Sequence, residues 1–534
     1  MHADNANQKD MKKKSNPLID LTFVSGLIIY SVLALILIDY YRYIINPDGV
    51  SYISITQKYL RGDFKNAINA TFGPLISWLL VPFLILGFDP LYATKLLLLS
   101  IGFVAMVGIR LLSYRFEMSQ YIRNIIFFLL IPFILYLALT VITTDLLVAC
   151  ILVFYLNIIF APTYSQKIYS GILCGLLGGL AYLAKNYAFP FFIIHFPLFN
   201  LLHYLRNDSI GKTRVIKNFI VGFIVFILIS GAWILMLSSK YGELTIGSAG
   251  RYLYAYVGPY MQYRHNFEIG GLLEPPNKTA IVASEDLSYF KVKLWNPLKS
   301  FDHFIHLLRA IKNNTKTTVY SYLRFSLLSP AILLGYILVC MRSKKLFFLD
   351  EPFYPVITSI LYTIGFLPLF VEARHLWLNF ILLGLMAGPV LDLLFKNSFF
   401  NDSKKRFTLI FFILSCAAIP LGIAKIVVTN NHLDKYYFDL CKELKNKYNI
   451  QGNIASNGNW PTTVTLSYHL KTRYYGMPRN NFTYDELRND LKKYNIDYYF
   501  VWGKLLDKEA RFLVKYKEVT KGTIPDLGIY SLKE

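Results

Sequence analysis

The sequence has 534 residues, of which 55% are hydrophobic and only 16% are charged. Soluble globular proteins carry about 25% charged residues, so this composition excludes an ordinary water-soluble class. The formal net charge of +22 does not indicate a nucleic-acid partner, because the basic residues cluster in short connections between apolar runs. Basic residues in that position set the orientation of a membrane protein.

Apolar runs recur along the chain up to about residue 428 and then stop. Runs such as 23–38 and 124–142 approach the roughly 20 apolar residues that cross a bilayer. The pattern predicts an α-helical polytopic membrane protein with about eleven spans. The expected ranges are 18–42, 91–112, 124–143, 145–161, 168–184, 187–204, 218–238, 318–340, 353–371, 375–395 and 407–428.

One further apolar segment, 72–88, decides the orientation of everything after it. Lys9 and the lysines at 12–14 precede the first span, which places the N-terminus in the cytoplasm. If 72–88 crossed the membrane, every later basic cluster would face outward. We therefore predict an interfacial or re-entrant helix there, which makes the loops 46–90 and 240–317 extracytoplasmic.

The last hundred residues differ in character and predict a second unit. We divide the chain into a membrane domain, 1–429, and a small extracytoplasmic α/β domain, 430–534. Strands are expected at 453–457, 497–502 and 528–532, and a helix is expected to open at Pro461. Thr483 and Glu486 form a capping box at the start of another helix.

Two acidic residues stand at the ends of apolar runs. Asp48 lies in Asn-Pro-Asp-Gly, just after the first span, and the local alternative to a catalytic acid is a simple turn. Asp145 lies between two spans. Acidic residues at such depth are costly and tend to be functional, although Asp145 could instead cap the following helix.

Cationic and aromatic candidates accompany these acids on the same predicted face. Lys185 ends one span, and Glu372, Arg374 and His375 precede another. The alternatives are an interfacial lysine with its ammonium in water and an internal Glu–Arg pair. A lysine and an arginine together would suit a phosphate. No spacing in the chain is typical of a metal site, so we expect no cofactor; a divalent metal is the alternative, for which the sequence offers no support.

The order and context of these residues resemble the polytopic GT-C glycosyltransferases, in particular the group with the protein O-mannosyltransferases and the bacterial aminoarabinose transferase. Two positions depart from the pattern: Gly49 replaces a second acidic residue, and His375 replaces a tyrosine. The similar segments are DGVSYISITQKYLRGDFKNAI (48–68), TTDLLVACILVFYL (143–156), GLAYLAKNYAFPFF (179–192), VEARHLWLNFILLG (371–384) and the tail from IASNGNW (454–460) onward.

The resemblance implies a multi-pass protein of the plasma (inner) membrane that transfers one sugar from a polyprenyl-phosphate donor. The acceptor would be a lipid, a glycan or a protein on the extracytoplasmic face. Asp48 would be the general base, and Lys185 and Arg374 would hold the donor phosphate. Supporting roles fall to Asp145 and Glu372, which would position these groups, and to Tyr52 and His375, which would contact substrate.

Two other functions fit the same compartment and donor type. A transporter or flippase of lipid-linked glycans would share the apolar spans, although the two halves of the chain show no matching interrupted helices. A polymerase or ligase would move whole glycan chains rather than one sugar. Turnover of a monosaccharide polyprenyl phosphate separates the first function from both alternatives.

Overall fold

The computed structural model describes residues 20–259, 271–290, 292–341, 350–479 and 482–533. The N-terminal lysines that predict a cytoplasmic N-terminus lie outside these ranges. Helices of the first half are α1 Leu21–Tyr41, α2 Pro47–Leu60, α3 Phe64–Ala67, α4 Leu75–Ile85, α5 Pro90–Ser113, α6 Gln120–Thr140, α7 Asp145–Ile159, α8 Tyr169–Ala184, α9 Ala188–Arg206, α10 Ser209–Tyr241 and α11 Ala249–Tyr256.

The second half completes the helical bundle and adds a sheet. Its membrane-domain helices are α12 Phe301–Phe325, α13 Ser329–Cys340, α14 Tyr354–Ile364, α15 Trp377–Lys396, α16 Asp402–Ser415 and α17 Ala418–Val428. The C-terminal elements are α18 Lys435–Tyr448, β1 Asn453–Ser456, α19 Trp460–Leu470, β2 Arg473–Tyr474, α20 Tyr484–Lys493, β3 Tyr498–Trp502, α21 Asp507–Leu513, β4 Lys517–Glu518 and β5 Leu527–Ser531.

Within the described ranges, six helices are long and apolar enough to cross a membrane, and eight if each of two bent pairs counts as one span. The predicted number is higher because three expected spans form shorter helices. These are α7 with 15 residues, α8 with 16 and α14 with 11. The predicted class, an α-helical polytopic protein with a small C-terminal α/β unit, is confirmed.

Three expected single spans have a different shape, and each has a proline as its cause. The 318–340 span is part of α12 and α13, which meet at 93°, and the 407–428 span is α16 and α17, which meet at 62°. Pro330 and Pro420 stand just beyond these two breaks, where a proline ring clashes with the carbonyl four residues earlier. The 353–371 span ends early, at Ile364, with Gly365 and Pro368 following.

Contacts at the helix ends show which elements share a face. Asp20, before α1, accepts hydrogen bonds of 2.7 Å from Arg110 at the end of α5 and from Gln120 at the start of α6. At the opposite face, Lys95 near the start of α5 donates to the Leu139 carbonyl at the end of α6. Helices α1 and α6 therefore run one way and α5 the other, so residues 42–89 leave and re-enter the bundle at one face.

This arrangement fixes the path of segment 72–88. Its helix, α4, has 11 residues and extends about 16 Å at 1.5 Å per residue, against a hydrocarbon core of about 30 Å. The segment does not pass from one face to the other, in agreement with the interfacial or re-entrant helix expected from sequence. Which compartment that face meets stays a prediction.

The C-terminal unit is built on a mixed sheet in the order β2-β1-β3-β5-β4. Strand β1 is parallel to β2 and β3, and β5 is antiparallel to β3 and β4. The expected helix at 461 begins at Trp460, and the Thr483–Glu486 capping box is present. The predicted strands at 453–457, 497–502 and 528–532 correspond to β1, β3 and β5 within one residue at each end.

The sheet is joined to the membrane domain through backbone hydrogen bonds. Tyr474 in β2 donates to the Ile281 carbonyl, and Leu273 donates to the Tyr475 carbonyl, each at 2.7 Å. The loop 272–283 therefore continues the sheet beyond β2. Near the bundle, the Thr465 hydroxyl donates to the Ile45 carbonyl at 3.3 Å.

We predict that the C-terminal unit is extracytoplasmic and that the 205–216 loop is cytoplasmic, because every short basic connection then lies inside. A phosphatase that folds only outside the cytoplasm, fused at residue 534, should be active, and the same fusion within 205–216 should be inactive. Activity of the second fusion and not the first would invert the topology.

Candidate functional site

One large cavity lies at the face where α1, α6 and α8 end. Its volume is about 1130 Å³, above the usual range of roughly 300–1,000 Å³ for small-molecule sites. Six of the seven predicted site residues line it, and the seventh, Asp145, lies behind Lys185 in the wall. The six lining residues are Asp48, Tyr52, Lys185, Glu372, Arg374 and His375.

Asp48 belongs to a helix rather than to the turn that Asn-Pro-Asp-Gly favours. Pro47 is the first residue of α2, and Asp48 lies in its first turn, where proline is well tolerated and a carboxylate interacts favourably with the helix dipole. The turn alternative is therefore wrong. Asn46 accepts a 3.0 Å hydrogen bond from the Ile142 N–H, which holds the start of α2 against the α6–α7 connection.

Arg374 bridges two carboxylates in the cavity wall. Its Nη1 donates to Asp48 Oδ2 and its Nε to Glu372 Oε2, each at 2.5 Å. The internal Glu–Arg pair considered from sequence is thus present, and Asp48 joins it from 326 residues away. Nη2 forms no hydrogen bond with the described residues, so the guanidinium keeps one donor group for a ligand.

The turn that carries Arg374 is held by reciprocal capping. Residues Ala373–Leu376 form one 3₁₀ turn, and the Glu372 N–H donates to His375 Nδ1 at 3.3 Å. The His375 ring also stacks on Phe366, with ring centroids 4.6 Å apart. His375 therefore orients the turn and is one of the residues that line the cavity.

Lys185 is paired with Asp145 and is not simply an interfacial lysine. Its ammonium forms an ion pair with Asp145 Oδ1, and the Thr143 hydroxyl donates to Oδ2 at 2.6 Å. Asp145 is the first residue of α7 and its side chain caps no helix, so the capping alternative is wrong. Asp145 is buried, and its carboxylate faces the Lys185 ammonium.

Tyr52 lies one turn after Asp48 on α2 and packs against Phe72, with ring centroids 4.8 Å apart. Its hydroxyl is 3.3 Å from Thr144 Oγ1. Burial raises the pKa of the Tyr52 phenol well above its ordinary value, so it stays protonated at neutral pH. Tyr52 can donate a hydrogen bond but cannot act as a base.

The site balances its charges internally. Two cations, Lys185 and Arg374, face three carboxylates, which leaves a formal charge of −1. Part of the cavity wall is apolar; its members include Phe191, Ile194, Leu361, Ile364, Phe366, Leu369 and Phe370. Within the described ranges, no group of three or more His, Cys, Asp or Glu side chains is placed to hold a metal ion.

Sequence reasoning missed the groups that hold the extramembrane loop over the cavity. The Lys58 ammonium in α2 forms a buried ion pair with Glu285 Oε1, and these side chains are 2% and 1% exposed. Asn69 Nδ2 donates to the Glu285 carbonyl at 2.7 Å, and the Tyr241 hydroxyl donates to Asp286 Oδ2 at 2.5 Å. Lys58 follows a helical pattern in sequence, but nothing near it signals a partner 227 residues away.

No protein-family model matches the chain, and no curated protein sequence is significantly similar to it. Solved structures do share its fold. ArnT from Cupriavidus metallidurans, in the apo state, has a TM-score of 0.56 at 12% identity, covering 95% of this chain and 98% of ArnT. The structure of ArnT bound to undecaprenyl phosphate gives 0.56 and 12%, covering 94% and 97%.

The oligosaccharyltransferase of Archaeoglobus fulgidus, in complex with zinc and sulfate, has a TM-score of 0.52 at 12% identity. The alignment covers 89% of this chain and 68% of that protein. Both neighbours are GT-C glycosyltransferases, so the predicted GT-C-like architecture is confirmed. At this identity the likeness establishes the fold.

We predict that the Lys58–Glu285 pair holds the loop over the cavity. Glu285→Ala leaves a buried, unpaired ammonium and should cost about 3–5 kcal/mol, whereas the double variant Lys58→Met/Glu285→Leu should recover most of the loss. The measurement is thermal inactivation in detergent, with Glu443→Ala as control because its pair with Lys447 is exposed. Equal inactivation temperatures for Glu285→Ala and the control would contradict the role.

Proposed function

We propose that this chain is a membrane glycosyltransferase that moves a single sugar from a polyprenyl-phosphate donor to a hydroxyl acceptor on the extracytoplasmic face. The observation that carries the proposal is one cavity at a membrane face in which a carboxylate, two cations and an apolar wall meet. This combination suits a substrate with a lipid tail, a phosphate and a sugar. The acceptor class is a lipid, a glycan or a protein.

The donor phosphate would bind between Lys185 and Arg374. Arginine offers a planar fork and lysine a point charge, which together suit a phosphate. In the free site both cations already pair with carboxylates, so an incoming phosphate competes for them. The Nη2 group of Arg374 offers a first contact, and the bond from Nη1 then passes from Asp48 to the phosphate.

That exchange has a chemical consequence for Asp48. While Asp48 is bound to Arg374, its Oδ2 accepts the hydrogen bond from Nη1 and is occupied by the guanidinium. Once the guanidinium contacts the phosphate, Asp48 is released beside the acceptor hydroxyl and accepts its proton as the oxygen attacks the anomeric carbon. The bond from that carbon to the phosphate oxygen breaks, and the two cations stabilise the leaving phosphate.

The remaining site residues support this exchange. Asp145 and Thr143 hold Lys185 at the wall, while Glu372 and His375 fix the turn that carries Arg374. The undecaprenyl-phosphate complex of ArnT, which has the same fold, supports a polyprenyl-phosphate donor. A flippase forms no bond to an anomeric carbon, and a ligase transfers a whole glycan chain, so turnover of a monosaccharide polyprenyl phosphate distinguishes both from this proposal.

Arg374→Lys should weaken activity clearly, by about tenfold or more, because it keeps the charge but loses the two-pronged geometry. Lys185→Met should also raise the donor KM. Both variants are compared with wild type for activity and for thermal stabilisation by undecaprenyl phosphate. If both variants show unchanged donor affinity, the two cations serve only to neutralise their carboxylates.

Asp48→Asn should abolish transfer in a protein that still folds and inserts. The asparagine carbonyl still accepts the hydrogen bond from Arg374, yet it cannot take a proton, and general-base catalysis is worth about 10²–10⁴ in rate. Turnover is measured at equal membrane levels of each variant.

The matched control for this variant is Asp63→Asn. Asp63 belongs to the same extramembrane loop, but its carboxylate caps the one-turn helix α3 and does not line the cavity. Asparagine is an equally good cap, so this variant should keep wild-type turnover. Wild-type activity in Asp48→Asn as well would show that Asp48 is not the general base, and the proposal would lose its main catalytic residue.

A further inference from the structure

The cavity has two chemically different sides. Toward the membrane helices its lining is apolar, whereas the side built from extramembrane segments combines aromatic rings with amide, hydroxyl and guanidinium groups. The residues of this second side include Asn46, Asn186, Arg251, Tyr252, Tyr256, Ser284 and Trp460. They come from separate parts of the chain, among them α11, the 3₁₀ turn Ala283–Glu285 and the C-terminal unit.

Trp460 is the residue that the C-terminal unit contributes to this cavity. It is the first residue of α19 and follows Asn459, which has a left-handed conformation with φ of 46°. One turn later the Thr463 hydroxyl accepts a 2.9 Å hydrogen bond from the Trp502 indole, which anchors α19 to the sheet. The indole is half-buried and reaches the cavity lining.

The docking of α19 places Trp460 on the side of the proposed base. The Thr465 hydroxyl donates to the Ile45 carbonyl, one residue before Asn46 and three before Asp48. Lys185 lies elsewhere in the cavity wall, where its ammonium is paired with Asp145 and lies 6.0 Å from the Phe366 ring centroid. A general base must touch the acceptor hydroxyl, so a wall that adjoins Asp48 faces the acceptor.

The chemistry of this wall selects among acceptors. A sugar ring has faces of polarised C–H groups, which lie well on the electron-rich face of an aromatic ring, and an edge of hydroxyls that match amide, hydroxyl and guanidinium partners. An alkyl chain has no hydrogen-bonding groups that could pair with the polar groups of this wall. An extended peptide presents no comparable flat face.

We propose that the acceptor is a glycan, modified at a sugar hydroxyl, and that Trp460 is the specificity-determining residue on which the acceptor ring stacks. This inference rests on the proposed function and narrows its acceptor class. The C-terminal unit then acts as part of the substrate site, because it contributes one aromatic ring to the cavity that Asp48 lines.

The expected kinetic result separates recognition from chemistry. Trp460→Ala should raise the acceptor KM by about tenfold with a smaller change in kcat, and Trp460→Phe should restore most of the loss because a ring remains. Stabilisation by undecaprenyl phosphate should be the same in both variants as in wild type. Tyr436→Ala serves as a control, since Tyr436 is an exposed aromatic residue of the same unit, 58% accessible, outside the cavity lining.

The experiment uses the full-length protein, its deletion strain and the glycans released from that strain's envelope as the acceptor probe. Mass spectrometry should find the transferred sugar on a sugar hydroxyl, and the released glycans should saturate wild type at lower concentration than Trp460→Ala. A sugar found on a lipid alcohol or on a serine or threonine would overturn the glycan inference and leave the glycosyltransferase proposal intact. An unchanged acceptor KM in Trp460→Ala would overturn the role of Trp460.

Failure of the proposed function gives a different result. In that case wild type transfers no sugar from a monosaccharide polyprenyl phosphate to any acceptor, including the released glycans, whether or not the envelopes of the two strains differ. The two failures are therefore read from the same samples.

Discussion

The guanidinium of Arg374 is the group on which the architecture of the site depends. It holds Asp48 of the first extramembrane helix and Glu372 of a turn that lies more than three hundred residues later. Apolar helix faces in lipid specify little by themselves, because the surrounding tails are as apolar as their neighbours. Charged groups at the membrane face are costly unless paired, so these ion pairs determine which helix ends meet.

The ion pairs within the site also allow it to bind phosphate and still be stable when it is empty. A cationic pocket would bind phosphate tightly but would be unstable when empty, and an isolated carboxylate would be stable only in water. Pairing Lys185 with Asp145, and Arg374 with Asp48 and Glu372, keeps the free site nearly neutral. The substrate can then bind by exchanging one anion for another at the guanidinium, so that the cations stay paired in a low dielectric.

Much of this arrangement could be predicted from local sequence. Asp48, Asp145, Lys185 and Arg374 could be identified because they are polar residues at the ends of apolar runs. The positions of the basic clusters distinguished segment 72–88 from the segments that cross the membrane. The local backbone conformations could be predicted less well from the sequence. Pro47 starts a helix, although the turn composition around it is equally strong, and Pro330 bends a pair of helices that hydropathy alone reads as one.

Contacts between distant segments had no local signal at all. Lys58 and Glu285 are two unremarkable positions in sequence, and their pairing depends on the fold of the loop between α10 and α12. Trp460 lies in a segment that the sequence assigns only to a soluble domain, and its place in the cavity follows from how α19 docks near Ile45. Such pairings depend on tertiary structure, which no helical or strand periodicity encodes.

The extension of the sheet by the loop 272–283 has an evolutionary consequence. Because the backbone of Ile281 and Leu273 completes the edge beside β2, the C-terminal unit is not a freely exchangeable module. Recombination at residue 430 would separate the sheet from its own edge and leave the Tyr474 N–H and the Tyr475 carbonyl without these partners, on an edge open to pairing with another chain. If the C-terminal unit is replaced during evolution, the loop 272–283 is expected to be replaced with it. The two segments should therefore diverge together although they are far apart in sequence.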